Sequence, residues 1–120
     1  MKKAQDEGSD PQALRLLPLT ESTYFILLAL LTPRHGYGIM QYAAAISGDR
    51  IKIGPGTLYG ALNTLLKLKL IERVGERGAE DERRKVYGLT GTGRRAVILE
   101  TERLGRLASI GRRVLDGKED

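Results

Sequence analysis

Two hydrophobic patterns organise the chain. Every position from Tyr24 to Leu31 is apolar, whereas further on a stripe at Leu58, Leu62 and Leu65 is separated by polar and small residues. The first pattern predicts a helix that is central and buried nearly all round, starting at Thr20 as N-cap with Glu21 near the positive end of the dipole, and stopping at Pro33. PRHGYG then reads as a turn, its glycines Gly36 and Gly38 allowing a tight bend into a second helix with Ile39, Ala43 and Ile46 at helical spacing, closed by Gly48. The leucine stripe predicts a third helix, with Gly54 as cap and Pro55 pre-shaped for the first turn, which the chain leaves at Leu70. Ile71 to Val74 and Lys85 to Leu89 read as short strands, Val86 facing one way and Tyr87 and Leu89 the other. GERGAEDERR between them is glycine-containing and charged, hence a solvated hairpin tip. Thr90 caps a last helix from Gly93 to about Leu115, which ends in the frayed segment DGKED.

The order helix, helix, helix, hairpin, helix predicts a mainly α (α+β) fold, a winged helix-turn-helix followed by a C-terminal helix for dimerisation. Residues 1–13 are expected to form a flexible polar tail, 14–90 the DNA-binding domain with Leu14 to Leu19 as a packed lead-in, and 91–120 the dimerisation helix and its frayed end. The chain has 120 residues, enough for one domain, and no internal repeat.

In the third helix the side away from the leucines holds Thr57, Tyr59, Gly60, Asn63, Thr64 and Lys67. A helix face that needs only solubility is usually filled with Glu and Lys. Hydroxyls, an amide and an ammonium are instead the groups that reach base edges and phosphates in a major groove, and Gly60 lets the backbone approach closely. Taken alone, the face fits base readout and ordinary packing of Tyr59 and Gly60 equally well. Charge tips the balance. The chain carries 20 Lys and Arg against 15 Asp and Glu, a net charge of +5, and Arg83, Arg84 and Lys85 are consecutive at the edge of the wing, near Arg73 and Arg77. Glu80, Asp81 and Glu82 beside them weigh the other way, as charge runs are often self-paired. A basic wing next to a neutral helix face predicts double-stranded DNA as partner.

Along the last helix, Val97, Thr101, Leu104, Ala108, Gly111 and Leu115 recur at alternating spacings of four and three, with Leu107 and Val114 alongside. Such a seam suits either an amphipathic helix folded back on its own domain or a partner subunit. Ile98, Leu99 and Ile110 widen the apolar surface beyond one stripe and favour the partner.

Enzymatic and metal chemistry find no support. There is no cysteine, His35 is the one histidine and reads as a turn residue, and Ser9, Ser22, Ser47 and Ser109 have no histidine partner in any motif. Gly36 to Gly38 lacks the preceding strand that phosphate-binding glycine loops require. No cofactor is expected. MKKAQDEGSDPQ has no apolar run behind its lysines, and no apolar stretch approaches the roughly 18 residues that span a bilayer, so a cytoplasmic protein without membrane association is expected.

At PRHGYGIM, IGPGTLYGAL and ERRKVYGLTGTGRR the chain resembles the PadR family of bacterial transcriptional regulators, over roughly Leu19 to Leu115. The resemblance implies a winged-helix homodimer that represses transcription, of the short class with a single C-terminal dimerisation helix. It also implies that Thr57, Tyr59 and Lys67 lie on the recognition helix, that Arg84 and Lys85 lie on the wing, and that effectors, often phenolic acids or flat drug-like compounds, act on the dimer. A sequence-specific repressor on an inverted-repeat operator, released by a small apolar or aromatic effector, is the function so implied; the alternative is a winged-helix protein-interaction module. The sequence departs from the family pattern in two places. Thr90 is followed by Gly91 and Gly93 with no Glu or Gln to complete a capping box, so that helix start is expected to be loose. No tryptophan is present to stack on a ligand.

Overall fold

The computed structural model describes residues 11–75 and 85–118. Helices α1 (Pro11–Leu14) and α2 (Glu21–Ala29) lead into strand β1 (Arg34–His35), helices α3 (Gly36–Ile46) and α4 (Pro55–Lys67), strands β2 (Ile71–Val74) and β3 (Val86–Leu89), and helix α5 (Gly91–Leu115). The strands form one antiparallel sheet in the order β1-β3-β2. Ile71 faces Leu89 and Val74 faces Val86 in the hairpin, and β1 adds Arg34 opposite Tyr87 and His35 opposite Val86. This is a winged helix-turn-helix.

The core gathers Ile26, Leu27 and Leu30 of α2, Ile39 and Ala43 of α3, and Leu58, Leu62 and Leu65 of α4, closed by Ile71, Tyr87 and the first half of α5. Helix α2 is central, with Ile26, Leu27 and Ala29 buried and Tyr24, Phe25 and Leu28 partly buried against the core. Two helix starts follow the expected chemistry, with Thr20 accepting from the Thr23 amide and Gly54–Pro55 opening α4.

Three expectations change. PRHGYG is more than a turn, because Arg34 and His35 gain backbone partners on β3. Helix α1 begins within the stretch that polarity assigned to a tail, and Ala13 is fully buried, where α1 packs on α5. The start of α5 is firmly held rather than loose: the Thr90 hydroxyl accepts from the Gly93 amide (3.1 Å) and donates to the Lys69 carbonyl (2.6 Å), while the Thr90 amide donates to the Leu70 carbonyl (3.0 Å). That corner substitutes for a capping box. It also joins α5 to the end of α4, where Lys69 adopts a left-handed conformation (φ 62°) and the Leu70 amide returns to the Leu65 carbonyl (3.0 Å). A Cβ on Gly93 would collide with the Leu70 carbonyl oxygen. The far end of α5 is closed as well, with Gly117 left-handed (φ 70°) and the Lys118 amide bonded to the Arg113 carbonyl (2.9 Å).

Glu100 is a buried carboxylate on α5, 1% exposed. Arg103 donates to it from Nε (2.6 Å) and Nη2 (2.9 Å), and the Leu19 amide donates to Oε2 (3.0 Å). The Arg103 guanidinium and the Leu19 amide hold its pKa below the ordinary glutamate value against the opposing effect of burial. A carboxylate so depressed stabilises the fold fully above its unfolded pKa of about 4.3, and the contribution disappears as the pH falls through the lower folded value. Glu100→Gln keeps an acceptor for Leu19 but loses the ionic pairing. It should cost about 1.5–3 kcal/mol at pH 7 and lose less stability than the parent on acidification, as measured by urea midpoints at pH 7 and pH 3.

Candidate nucleic-acid interface

Helix α4 is amphipathic in a particular way. Leu58, Leu62 and Leu65 are buried, while Gly56, Thr57, Gly60, Asn63, Thr64 and Lys67 form one exposed arc on the opposite side. Lys67 is the one charged residue of the helix, so no carboxylate on it would repel a phosphate. Side chains on the arc are short, and Thr64 donates to the Gly60 carbonyl (3.3 Å). The backbone of α4 can therefore come close to a partner, with Asn63 and Lys67 projecting furthest.

Tyr59 does not join that arc. It is half-buried, and its ring lies against Gly36 at the start of α3. Sequence periodicity placed it with the polar face because its hydroxyl counts as polar, whereas its ring is a large apolar surface that packs.

The wing follows α4 directly. β2 packs against α4, and Lys85, half-buried, precedes β3 at the outer end of the hairpin. Arg83 and Arg84 lie outside the described residues. Arg34, unremarked in the sequence, is a structural cation: Nε donates to the Ala29 carbonyl (2.7 Å) at the end of α2, and the guanidinium lies 4.0 Å from the Tyr42 ring centroid. Among the described residues no group of three or more His, Asp or Glu is placed to hold a metal ion.

The expected dimer seam divides in two. Val97, 5% exposed, belongs to the chain's own core, and Thr101 donates to the Val97 carbonyl (2.8 Å) and receives the Tyr24 hydroxyl (2.6 Å). Leu99 too is buried against the domain. The reason is that the body covers the first half of α5 and ends near Arg103. Beyond it the same helical face continues uncovered as Leu104, Leu107, Ile110 and Val114, each 40–54% exposed, with Ala108, Gly111 and Leu115 beside them.

A sequence profile described as the transcriptional regulator PadR-like family matches residues 26–98, from α2 through the first turns of α5. The chain belongs to the PadR-like family of transcriptional regulators. It is similar to the structure of H. salinarum RosR, with a TM-score of 0.61 and 25% identity over 85% of this chain and 96% of that one. It is also 37% identical over 76 residues to an uncharacterized 37.1 kDa protein in transposon TN4556 of Streptomyces fradiae, covering 63% of this chain and 20% of that protein. The PadR-like chain thus spans a fifth of the length of that relative. Among its described residues no helix is long and apolar enough to cross a membrane.

Proposed function

We propose that the protein is a cytoplasmic, sequence-specific repressor that binds an inverted-repeat operator as a homodimer. The observation that supports this most is the exposed arc of α4, free of carboxylates and flanked by the wing, on a chain of net charge +5. Thr57, Gly60, Asn63, Thr64 and Lys67 would enter the major groove, and Arg83, Arg84 and Lys85 would hold the neighbouring phosphates. One such module buries too little surface to select a site from a genome, so two copies are needed. The uncovered face of α5, from Leu104 to Leu115, supplies a self-complementary seam for them. A two-fold pair reads half-sites about one helical turn, roughly 10 base pairs, apart.

An effector fits the same scheme. Leu19, Tyr24, Phe25 and Leu104, together with the ion pairs Glu21–Arg50 and Glu100–Arg103, line an open pocket of about 350 Å³ beside α2 and α5, at the edge of the seam. A small apolar or aromatic compound there would release DNA to the extent that it prefers the unbound arrangement of the dimer.

Selection of duplexes from a random pool, followed by binding measurements between 50 and 200 mM salt, tests the reading. A steep loss of affinity with salt is expected, because only neutralised phosphates release many counterions. Failure to enrich any duplex, or affinity indifferent to salt, would favour the protein-interaction module instead. Within the same assay Lys67→Ala should weaken all duplexes alike and lower the salt slope by about one unit. Asn63→Ala should cost about 1–3 kcal/mol on the selected duplex and little on a shuffled one.

A further inference from the structure

Tyr59 stands at the border of the leucine stripe, about 100° around the helix from Leu58. Its ring is laid against Gly36, which is buried and opens α3. A Cβ on Gly36 would stand 3.1 Å from Tyr59 Cε1 and 2.8 Å from Cζ, and would run into the hydroxyl oxygen. Glycine is thus the residue that lets the ring sit there. Gly36 is itself anchored, because His35 before it is paired with Val86 of the sheet. The contact therefore ties the second turn of α4 to a point fixed by the sheet.

Such a tie resists a different motion from the one the leucines resist. Leu58, Leu62 and Leu65 lie along the bottom of α4 and hold it down on the core. A contact at the flank opposes rotation of the helix about its own axis. For a recognition helix that rotation is decisive, since neighbouring residues point about 100° apart and a partial turn exchanges one side chain for another at the base edges.

We infer that Tyr59 is a positioning residue: its ring, seated on Gly36, sets the roll of α4 and so decides that Asn63, Thr64 and Lys67 face the groove. The tyrosine reads no base itself. This rests on the DNA-binding reading of α4.

The test is a double-mutant cycle on the full chain, using the duplex that the parent selects from a random pool and a shuffled duplex of the same length. Gly36→Ala should displace the Tyr59 ring from its seat and weaken the selected duplex by about 10-fold or more. It should weaken the shuffled duplex much less, because attraction to phosphates tolerates a rolled helix. In a Tyr59→Ala background the same Gly36→Ala change should cost nothing, the ring being gone. Tyr59→Phe keeps the ring and should discriminate between the duplexes as the parent does. If Gly36→Ala unfolds the chain, the cycle is read in Tm, with the double variant expected to melt no lower than Tyr59→Ala alone. Additive losses in the cycle, parental binding by Gly36→Ala, or lost discrimination in Tyr59→Phe would each overturn the inference. A parent that enriches no duplex would remove the DNA-binding reading itself and the inference with it.

Discussion

Replacing Leu107 by Asp is expected to leave a folded chain that no longer pairs with itself. Leu107 is 54% exposed in the single chain and lies past the end of the domain that covers the first half of α5, so the substitution should change the stability of the isolated subunit by no more than about 0.5 kcal/mol. In the proposed dimer the same position is near the middle of the seam. A carboxylate buried there without a partner costs several kcal/mol, and a symmetric interface places two of them together. Sedimentation at micromolar concentration should show a monomer where the parent is a dimer. Affinity for the selected inverted repeat should fall by about 100-fold or more, since the second half-site is no longer delivered by the first. A Leu107→Asp chain that still sediments as a dimer would move the interface to α2 or to the segment Leu14 to Leu19.

Gly93→Ala should produce the largest loss of stability. The added methyl would meet the Leu70 carbonyl oxygen, and that oxygen has nowhere to go. It is bonded to the Thr90 amide, and the Leu70 amide is bonded in turn to the end of α4. Relief would require lifting the first turn of α5 off the corner. Overpacking against a side chain typically costs 1–3 kcal/mol; against fixed backbone about 3 kcal/mol or more is expected, lowering Tm by about 12 °C or more. Thermal unfolding followed by circular dichroism measures it directly. A variant that melts with the parent would show that the α4–α5 corner is pliable.

These two sites differ in how legible they were. The apolar run of α5 is a periodic signal in the sequence, visible from spacing alone, but spacing cannot say where the covering domain stops. Val97 and Leu107 look alike as letters; one is core and the other is open because the body ends between them. Gly93 looked like a weakness at a helix start, since the sequence does not show that the Leu70 carbonyl lies against it. Helices α2, α4 and α5 announced themselves through Thr20, Pro55 and Thr90, which act on backbone groups only a few residues away. Strand β1 did not, as Arg34 and His35 are too few for an alternation and become a strand only by pairing with Tyr87 and Val86 far along the chain. Glu100 was hidden for a related reason: a glutamate on a charged helix reads as solvated until the Leu19 amide and Arg103 are seen to enclose it. The exposed face of α4 was readable almost residue by residue. Tyr59 was the exception, because its polarity and its bulk pull in opposite directions.

The corner built by Thr90, Lys69, Leu70 and Gly93 has a mechanical meaning. It fastens the short helix α4 to a rod of 25 residues, about 37 Å long, so that a tilt of about 5° at the fastening swings the far end by about 3 Å, close to the 3.4 Å between successive bases on a strand. In the proposed dimer, with the rods of two subunits clamped to each other, the motion would appear at the other end, as a change in the spacing of the two α4 helices. A lever of that ratio would turn a displacement too small to break any single contact into a loss of register with the proposed operator.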